Sequence, residues 1–279
     1  MQLNVTDHYE NFPVGSILLP SRLRKPIAII YQFARSADDI ADEGSIADDE
    51  RLKKLNVYLY FLNIIKAGKI PDHPFFAQLR EIIAFYDLPI QLFIDLIDAF
   101  SQDVVKKRYR DFEELLDYSR RSANPIGRLL LHLFKENSEQ NLLWSDAICS
   151  SLQLINFWQD IAIDWQKNRV YIPLNDMEKY GVTEEHIAAK IIDDSWKTLF
   201  QFQVDRSRQM LESGSPLGRV LSGRVGLEIR ATIASGLKTA AKLKTINGDI
   251  YTKRPTLDFF DWPQILYRAI FPKRFSHTS

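Results

Sequence analysis

The chain has 279 residues, of which 46% are hydrophobic and 26% are charged. This composition is typical of a globular protein with a large core, and it excludes a disordered or fibrous chain. The 36 Lys and Arg residues balance 36 Asp and Glu residues, so the basic excess of a nucleic-acid-binding protein is missing and we expect no nucleic-acid partner.

Cysteine content and hydropathy set the expected compartment. The single cysteine, Cys149, excludes an internal disulfide and a metal site built from several cysteines. No apolar run approaches the roughly 18 residues of a membrane-spanning helix, and the first residues lack the pattern of a signal peptide. We therefore expect a cytoplasmic protein. The basic, aromatic segment 262–275 leaves open a peripheral contact at the inner membrane face, with a helix docked on the core as the alternative.

Apolar residues recur at helical spacing along most of the chain, and the alternation typical of strands is scarce. The pattern predicts helices over residues 21–43, 50–67, 73–86, 89–107, 111–120, 125–136, 144–166, 184–211, 216–247 and 257–271. No connection between them is long enough to mark a domain boundary. We predict one all-α domain over residues 1–279.

The first predicted helix carries an acidic cluster. At about 100° per residue, its polar side chains fall within about 60° of one another around the axis. They are Tyr31, Arg35, Asp38 and Asp42. Asp39 points about 100° away from Asp38, so we expect it to support the cluster rather than to belong to it. A solvated acidic face is the alternative explanation for this cluster.

A second polar stripe lies in the predicted helix 144–166. Its members, Gln153, Asn156, Asp160 and Asp164, span about 80° around the axis. Large apolar residues occupy the other faces, so we expect the stripe to lie inside the protein. Burying two carboxylates one turn apart is costly unless a cation compensates them. Two such pairs on separate helices therefore favour a metal-centred cavity.

The donor set also indicates which metal and which substrate to expect. Ligation by carboxylate oxygens favours Mg²⁺, with Mn²⁺ as the other hard cation, over zinc or copper. Mg²⁺ commonly takes one or two carboxylates and completes its shell with water and phosphate oxygens. A helical cavity with paired carboxylates, arginines and many aromatic rings suits a substrate with a diphosphate head and a long apolar tail.

These residues resemble the squalene/phytoene synthase family of head-to-head prenyl transferases. The two aspartate-rich motifs of that family correspond to Asp38–Asp42 and Asp160–Asp164, and the family tail after the second motif corresponds to Asn168–Pro173. The resemblance covers nearly the whole chain. It implies an isoprenoid synthase helical bundle around a central hydrophobic cavity and Mg²⁺-dependent diphosphate chemistry.

Within the family, the chain is most similar to the hydroxysqualene synthase branch of bacterial hopanoid biosynthesis. The segments that suggest this are 10–14, 121–128, 157–160 and 253–255. That branch ionises presqualene diphosphate and captures the rearranged cation with water, as a carbon–oxygen lyase. Condensing relatives usually carry Arg before the second motif, where this chain has Gln159. They also usually have small hydroxyl residues where this chain has Tyr9 and Asn11.

The resemblance implies a role for each matching position. Four aspartates, Asp38, Asp42, Asp160 and Asp164, are expected to bind the metal ions. Contacts to diphosphate or to its metal shell are expected from Tyr31, Arg35, Gln153 and Asn156. Tyr118 is a candidate for the cation pocket, with a core tyrosine as the alternative. Arg254 and Asn11 are further candidates for substrate binding, with a solvated arginine and a turn-capping asparagine as the alternatives.

Three alternatives stay open from the sequence. The chain could condense two prenyl diphosphates to presqualene diphosphate, or it could make phytoene or dehydrosqualene. It could also be a non-catalytic helical assembly factor, although all four motif carboxylates are present. No dinucleotide-binding glycine motif occurs, so we expect no nicotinamide cofactor. Contact with other enzymes of the squalene pathway is a further expectation.

Overall fold

The protein is all-α in the residues that the structure, a computed structural model, describes: 20–44 and 46–271. Its helices are α1 Ser21–Asp42, α2 Asp48–Lys66, α3 Pro74–Tyr86, α4 Ile90–Val105, α5 Phe112–Ser122, α6 Asn124–Phe134, α7 Glu139–Gln166, α8 Leu174–Lys179, α9 Glu184–Ala188, α10 Asp194–Gly214, α11 Leu217–Val220, α12 Gly223–Thr245 and α13 Trp262–Ile270. A 3₁₀ turn, Phe259–Asp261, precedes α13. The predicted fold class is confirmed.

Helix α7 is the central element of the fold. It packs against α5, α6, α10 and α12, which explains why apolar residues occupy most of its circumference. The helix begins one turn and a half earlier than predicted, because the Ser138 hydroxyl accepts a hydrogen bond from the Asn141 backbone N–H at 3.3 Å and caps it.

The predicted helix 184–211 is wrong in one respect, because two helices share this segment. Helix α9 ends at Ala188, and Lys190 then adopts the left-handed conformation with φ of 56°. Helix α10 restarts where the Asp193 carboxylate accepts a hydrogen bond from the Trp196 backbone N–H at 2.8 Å. An aspartate cap of this kind competes with helix continuation, and the apolar periodicity alone does not reveal it.

Three further features differ from the prediction. The predicted helix 216–247 is divided into α11 and α12, and Gly223 at the division has φ of 60°. The short helix α8 was missed because its six residues are too few to show a helical period. Helix α13 begins five residues later than predicted, after the 3₁₀ turn.

The buried apolar residues form two clusters with a boundary that passes through the middle of the molecule. One cluster joins α1 to α4 and one side of α6, and the other surrounds α7, α10 and α12. Helix α6 contributes to both, since Leu130 lies in the first and Leu131 in the second. The two acidic motifs therefore belong to different clusters, on α1 and on α7. Among the described residues, no helix is long and apolar enough to cross a membrane.

Candidate functional site

A cavity of about 390 Å³ lies between the two clusters. Helices α4, α6, α7, α11 and α12 supply an apolar wall that includes Phe100, Ile126, Leu130, Phe134, Leu152 and Ile229. The polar groups that face the cavity include Asp38, Tyr118, Ser122, Gln153 and Asn156. The cavity therefore combines a long apolar wall with a set of carboxylate, amide and hydroxyl groups, as an apolar substrate with a polar head requires.

On α1, the predicted acidic cluster is organised around one arginine. The Arg35 guanidinium lies 2.6 Å from an Asp39 carboxylate oxygen, 3.0 Å from Glu43 and 3.5 Å from Asp38. Asp39 thus holds Arg35 in place, which agrees with the supporting role expected for it. Tyr31 is half-buried on the same helix, one turn before Arg35.

The two motif carboxylates of α1 have different electrostatic environments. Burial and the neighbouring Asp42 charge raise the pKa of Asp38 to about 7. Burial also acts on Asp42, but the hydrogen bond from Arg169 prevails and lowers the pKa of that carboxyl. The Arg169 Nη2 donates to Asp42 Oδ1 at 2.6 Å, and the Lys167 Nζ lies 3.3 Å from Oδ2.

On α7, the two motif aspartates also differ in their partners. Asp160 accepts two hydrogen bonds from the Arg254 guanidinium, at 2.6 and 3.1 Å. No guanidinium of the described residues is hydrogen-bonded to Asp164, and burial together with the Asp160 charge raises the pKa of Asp164 to about 7. The Asp42 charge contributes to the same shift. Asp42 of α1 and Asp164 of α7 are therefore close enough to interact across the boundary between the two clusters.

Gln159 lies away from the cavity. Its side chain is buried, and Nε2 donates to the Pro255 carbonyl oxygen at 2.5 Å. This bond fixes the segment that carries Arg254 against α7, next to Asp160. The sequence analysis noted Gln159 only as a departure from the condensing relatives, whereas in the structure its side chain holds the segment that carries Arg254.

The amides of the α7 stripe lie where the periodicity predicts. Gln153 and Asn156 both face the cavity, and Gln153 Oε1 accepts a hydrogen bond from the Ser122 hydroxyl at 2.9 Å. This bond joins α7 to the end of α5. The Asn11 candidate lies outside the described residues.

A buried carboxylate that the sequence analysis missed lies beside these motifs. Asp103 on α4 accepts a 2.5 Å hydrogen bond from the Tyr118 hydroxyl, and the Tyr171 hydroxyl lies 3.4 Å from its other oxygen. Burial raises the pKa of Asp103 to about 7, although the Tyr118 bond opposes this shift. Arg169 donates to the Asp103 backbone carbonyl at 3.3 Å, so one guanidinium contacts both α1 and α4.

Aromatic rings pack on this carboxylate and extend to the cavity. The rings of Phe157 and Tyr171 are stacked with centroids 3.7 Å apart, and Tyr118 lies within 6.2 Å of both. Tyr109 stacks on the other side of Tyr171 at 5.7 Å. Since Tyr118 also lines the cavity, its ring is available to a cation bound there.

The turn after α7 brings the basic residues to the site. Asn168 adopts the left-handed conformation with φ of 57°, which asparagine tolerates better than most residues. The chain then reverses, and the Arg169 backbone N–H donates to the Asp164 carbonyl at 2.8 Å. Next, the Val170 N–H donates to the Lys107 carbonyl at 3.0 Å and aligns this segment beside the end of α4. The positions of Arg169 and Tyr171 follow from these two contacts.

Asp103 could have been found from the sequence by one signal. It continues the apolar stripe of α4 at helical spacing after Leu96 and Ala99, and all three side chains are buried. A single carboxylate on a buried helix face indicates a polar partner inside the protein. The contacts of Arg169 with Asp42 have no comparable signal, because they depend on the turn at Asn168.

The donor set fits Mg²⁺ held jointly with a phosphorylated ligand. Asp38, Asp42, Asp160 and Asp164 supply only the hard oxygen atoms that Mg²⁺ prefers. Within residues 20–44 and 46–271, no three carboxylate, imidazole or thiol side chains converge on one point. The described protein atoms alone therefore do not form a complete metal cage.

Comparisons with known proteins identify the family of this chain. The squalene/phytoene synthase family model matches residues 5–261. The chain is similar to the hydroxysqualene synthase of Rhodopseudomonas palustris, with 33% identity over 86% of this chain and 81% of that protein. It is also similar to the 15-cis-phytoene synthase of Synechococcus elongatus, with 27% identity over 90% of this chain and 85% of that protein.

The fold matches a solved structure over a similar length. The crystal structure of squalene synthase HpnC from Alicyclobacillus acidocaldarius superimposes with a TM-score of 0.79. The two chains are 33% identical, and the match covers 86% of this chain and 90% of the other. The family match, the shared helical fold and the paired aspartate motifs lead to one conclusion: this chain belongs to the squalene/phytoene synthase family.

Proposed function

We propose that this protein is a hydroxysqualene synthase, a Mg²⁺-dependent lyase that converts presqualene diphosphate to hydroxysqualene and diphosphate in hopanoid biosynthesis. The observation that carries the proposal is the pair of acidic motifs on α1 and α7, with the Asp42 charge acting on Asp164 and with Asp38 lining a largely apolar cavity. The likeness to the Rhodopseudomonas palustris enzyme supports this reaction over others in the family.

The acidic motifs and the basic residues would bind the polar head of the substrate. When bound, Mg²⁺ supplies charge neutralisation for the departing diphosphate. Asp38, Asp42, Asp160 and Asp164 would hold it. Arg169, Lys167 and Arg254 are paired with Asp42 and Asp160 in the structure and would turn to the phosphate oxygens when the head group binds. Arg35, Gln153 and Asn156 would complete the polar surface around the head group.

The cavity would hold the apolar chains and the reacting carbon skeleton. Its apolar wall excludes bulk water, so a carbocation formed there persists until a positioned nucleophile reaches it. The Tyr118 ring, with Phe157 and Tyr171 behind it, offers negative aromatic faces to that cation. Water capture then forms the new carbon–oxygen bond of the alcohol and releases one proton.

The second candidate is a condensing synthase that joins two prenyl diphosphates. The likeness to the phytoene synthase of Synechococcus elongatus favours this candidate. Both candidates use the same motifs, so the product distinguishes them. Burial and a neighbouring aspartate raise the pKa values of Asp38 and Asp164. A non-catalytic assembly factor would not need to keep such costly pairs of carboxylates.

Product analysis tests the proposal directly. The protein is incubated with Mg²⁺ and either presqualene diphosphate or farnesyl diphosphate, and the extracts are analysed by gas chromatography and mass spectrometry. We expect hydroxysqualene from presqualene diphosphate, with Mg²⁺ or Mn²⁺ but not with EDTA, and no change on adding NADPH. Squalene formed with NADPH, or efficient condensation of farnesyl diphosphate, would contradict the proposal.

The oxygen of the alcohol provides a second test. In ¹⁸O-labelled water, water capture predicts hydroxysqualene that carries one heavy oxygen atom. An unlabelled alcohol would show that the oxygen comes from the diphosphate group instead.

A further inference from the structure

The end of the described chain carries an unusual concentration of exposed apolar side chains. Among the described residues, seventeen large hydrophobic side chains are exposed, and seven of them lie between positions 259 and 271. They are Phe259, Phe260, Trp262, Leu266, Tyr267, Ile270 and Phe271. Isolated exposed apolar residues are ordinary, but a contiguous patch of this size marks an interaction surface. We call these seven residues the C-terminal apolar face.

Helix α13 presents this face because only one of its sides packs on the protein. Ile265 and Ala269 are buried against α12, whereas Trp262, Leu266 and Ile270 form an exposed stripe at four-residue spacing. The 3₁₀ turn before α13 adds Phe259 and Phe260, which are 82% and 87% exposed. The patch therefore arises from an amphipathic helix whose second apolar side has no partner among the described residues.

A basic cavity of about 350 Å³ adjoins this helix. It lies between α10, α11, α12 and α13, and its floor is apolar, with Ile233, Ala234, Leu237 and Ala241. Its polar lining includes four guanidinium groups and one carboxylate: Arg208, Arg219, Arg230, Arg268 and Glu212. The lining therefore has an excess of three positive charges.

One of these arginines is fixed in position by the protein. The Arg230 Nε donates to the Ala269 carbonyl of α13 at 2.5 Å, and its Nη1 donates to the Gly218 carbonyl at 2.6 Å. A side chain at Gly218 would collide with Arg230, because a Cβ atom there would lie 2.8 Å from Arg230 Cγ. Arg230 is thus preorganised, with its Nη2 making no hydrogen bond to residues 20–44 or 46–271.

Two other arginines have nothing to neutralise them in the described part of the chain. Neither the Arg219 nor the Arg268 side chain forms a hydrogen bond or ion pair there, whereas the Arg208 guanidinium is bound by Glu212 at 2.6 Å. Arg268 is half-buried and follows Tyr267 of the apolar face directly in α13. Unpartnered cations over an apolar floor suit an anionic group that is attached to hydrocarbon.

We propose that the C-terminal apolar face inserts into the surface of an anionic phospholipid bilayer, and that the basic cavity receives the phosphate of one lipid. Phe, Trp and Tyr side chains favour the boundary between lipid head groups and acyl chains. Arginines at the edge of the helix would meet the negatively charged head groups. A second copy of this chain fits less well, because pairing two identical faces would bring their unpartnered arginines together.

Vesicle flotation with the full chain tests this proposal. Vesicles of phosphatidylcholine alone are compared with vesicles that contain 30% phosphatidylglycerol, at 0.1 M and 0.5 M salt. We expect the protein to float with the anionic vesicles, to bind neutral vesicles more weakly, and to lose affinity at the higher salt concentration. Absence of the wild-type protein from the anionic vesicle fraction would overturn the proposal.

Matched variants locate the surface. The double variant F259S/F260S removes two exposed rings that pack edge to face on each other, and we expect its affinity for anionic vesicles to fall about tenfold or more. The control is Phe85→Ser, since Phe85 is 81% exposed on α3, outside the proposed surface. Equal flotation of F259S/F260S and the wild type would overturn the proposal.

Charge variants test the basic cavity. Arg268→Gln is expected to lower the affinity for anionic vesicles about fivefold and to leave binding to neutral vesicles unchanged. Arg24→Gln makes the same change in net charge at an exposed position of α1 and should bind as the wild type does. An equal loss of affinity in both variants would mean that only overall charge matters. That result would contradict the proposal that the basic cavity receives a lipid phosphate.

Light scattering after size-exclusion chromatography tests whether a second copy of this chain covers the C-terminal apolar face instead. A monomeric wild type agrees with a face that is free for lipid. A dimer that F259S/F260S converts to a monomer would show that a second copy covers the face, and would overturn the proposal. Because these measurements need neither substrate nor metal, their outcome is independent of the proposed reaction.

Discussion

Asp164 illustrates how one residue acquires its chemistry from its surroundings. Its pKa is raised to about 7 by burial and by the Asp160 charge, whereas an ordinary aspartate has a pKa of about 3.9. The ionised carboxylate is therefore unfavourable in the folded protein when no cation is present. The pKa of Asp164 is higher in the folded state than in the unfolded state. Asp164 therefore reduces folding stability progressively as the pH rises from about 4 to about 7.

We predict that Asp164→Asn abolishes turnover and leaves the fold intact. In EDTA at pH 8, the variant should unfold at an equal or higher urea concentration than the wild type, because the like-charge pair with Asp160 is removed. At pH 4 this difference should be smaller, because the wild-type carboxyl is then largely protonated in the folded state. Urea unfolding at both pH values and product assays with Mg²⁺ provide the measurements.

The control for this prediction is Asp72→Asn. Asp72 is exposed and makes no hydrogen bond or ion pair with the described residues, so its loss should change neither activity nor stability. Wild-type turnover by Asp164→Asn would remove Asp164 from the metal site.

Tyr118 links the cavity to the buried Asp103 carboxylate. We predict that Tyr118→Phe lowers the free energy of unfolding by about 1–3 kcal/mol, because Asp103 loses its shortest hydrogen bond in a buried position. We also expect slower turnover, since the altered carboxylate lies beside Arg169 and the acidic motifs. Chemical denaturation and product assays check both effects.

Tyr60→Phe is the matched control, because Tyr60 is exposed on α2 and its hydroxyl has no described partner. A Tyr118→Phe variant as stable as Tyr60→Phe would show that the Asp103 bond does not stabilise the fold.

At the scale of whole elements, the close approach of α10 to α7 depends on a glycine. A Cβ atom at Gly214 would lie 2.6 Å from the Trp144 carbonyl oxygen and 2.7 Å from Ile148 Cγ1. The carbonyl belongs to the backbone of α7, so it cannot move aside as a flexible side chain would. This contact fixes how the end of α10 packs on the central helix.

We predict that Gly214→Ala lowers the free energy of unfolding by about 1–3 kcal/mol through overpacking of this contact. Ser213→Ala is the control, since it changes an exposed side chain one position earlier in the same helix. Differential scanning calorimetry of both variants measures the effect. Equal melting temperatures of the two variants would contradict the prediction, because they would mean that α7 and α10 can move apart at no cost in stability.

At the scale of the whole molecule, the candidate site joins two hydrophobic clusters. Asp38 and Asp42 lie on α1, whose buried apolar residues belong to one cluster, and Asp160 and Asp164 lie on α7, which belongs to the other; the Arg169 side chain binds Asp42 across the boundary. A ligand that contacts both motifs should therefore stabilise the entire fold rather than one half of it.

We predict that Mg²⁺ and pyrophosphate together raise the melting temperature, whereas each alone has a smaller effect. At a ligand concentration 100 times the dissociation constant, the expected stabilisation is about 2.7 kcal/mol. Thermal shift measurements check this prediction. The Asp164→Asn variant should lose the shift in melting temperature, and the Asp72→Asn variant should keep it. An equal shift in all three proteins would place the binding site elsewhere.

Much of this protein could be predicted from local sequence patterns. The apolar periodicity predicted the all-α fold and most helices, because a helix that packs on a core needs one apolar side. The spacing of Asp38, Asp42, Asp160 and Asp164 predicted two acidic motifs, since residues four apart share a helix face. These inferences need only the geometry of a single helix.

Contacts between distant segments were decided by the tertiary structure. The turn at Asn168 brings Arg169 to Asp42, 127 positions away in sequence, and packing places the Gln159 amide against Pro255 rather than in the cavity. The Asp103 environment likewise depends on Tyr118 and Tyr171 from two other segments. Periodicity determines which side of a helix is apolar, but the neighbour that meets that side is determined only when all helices pack together.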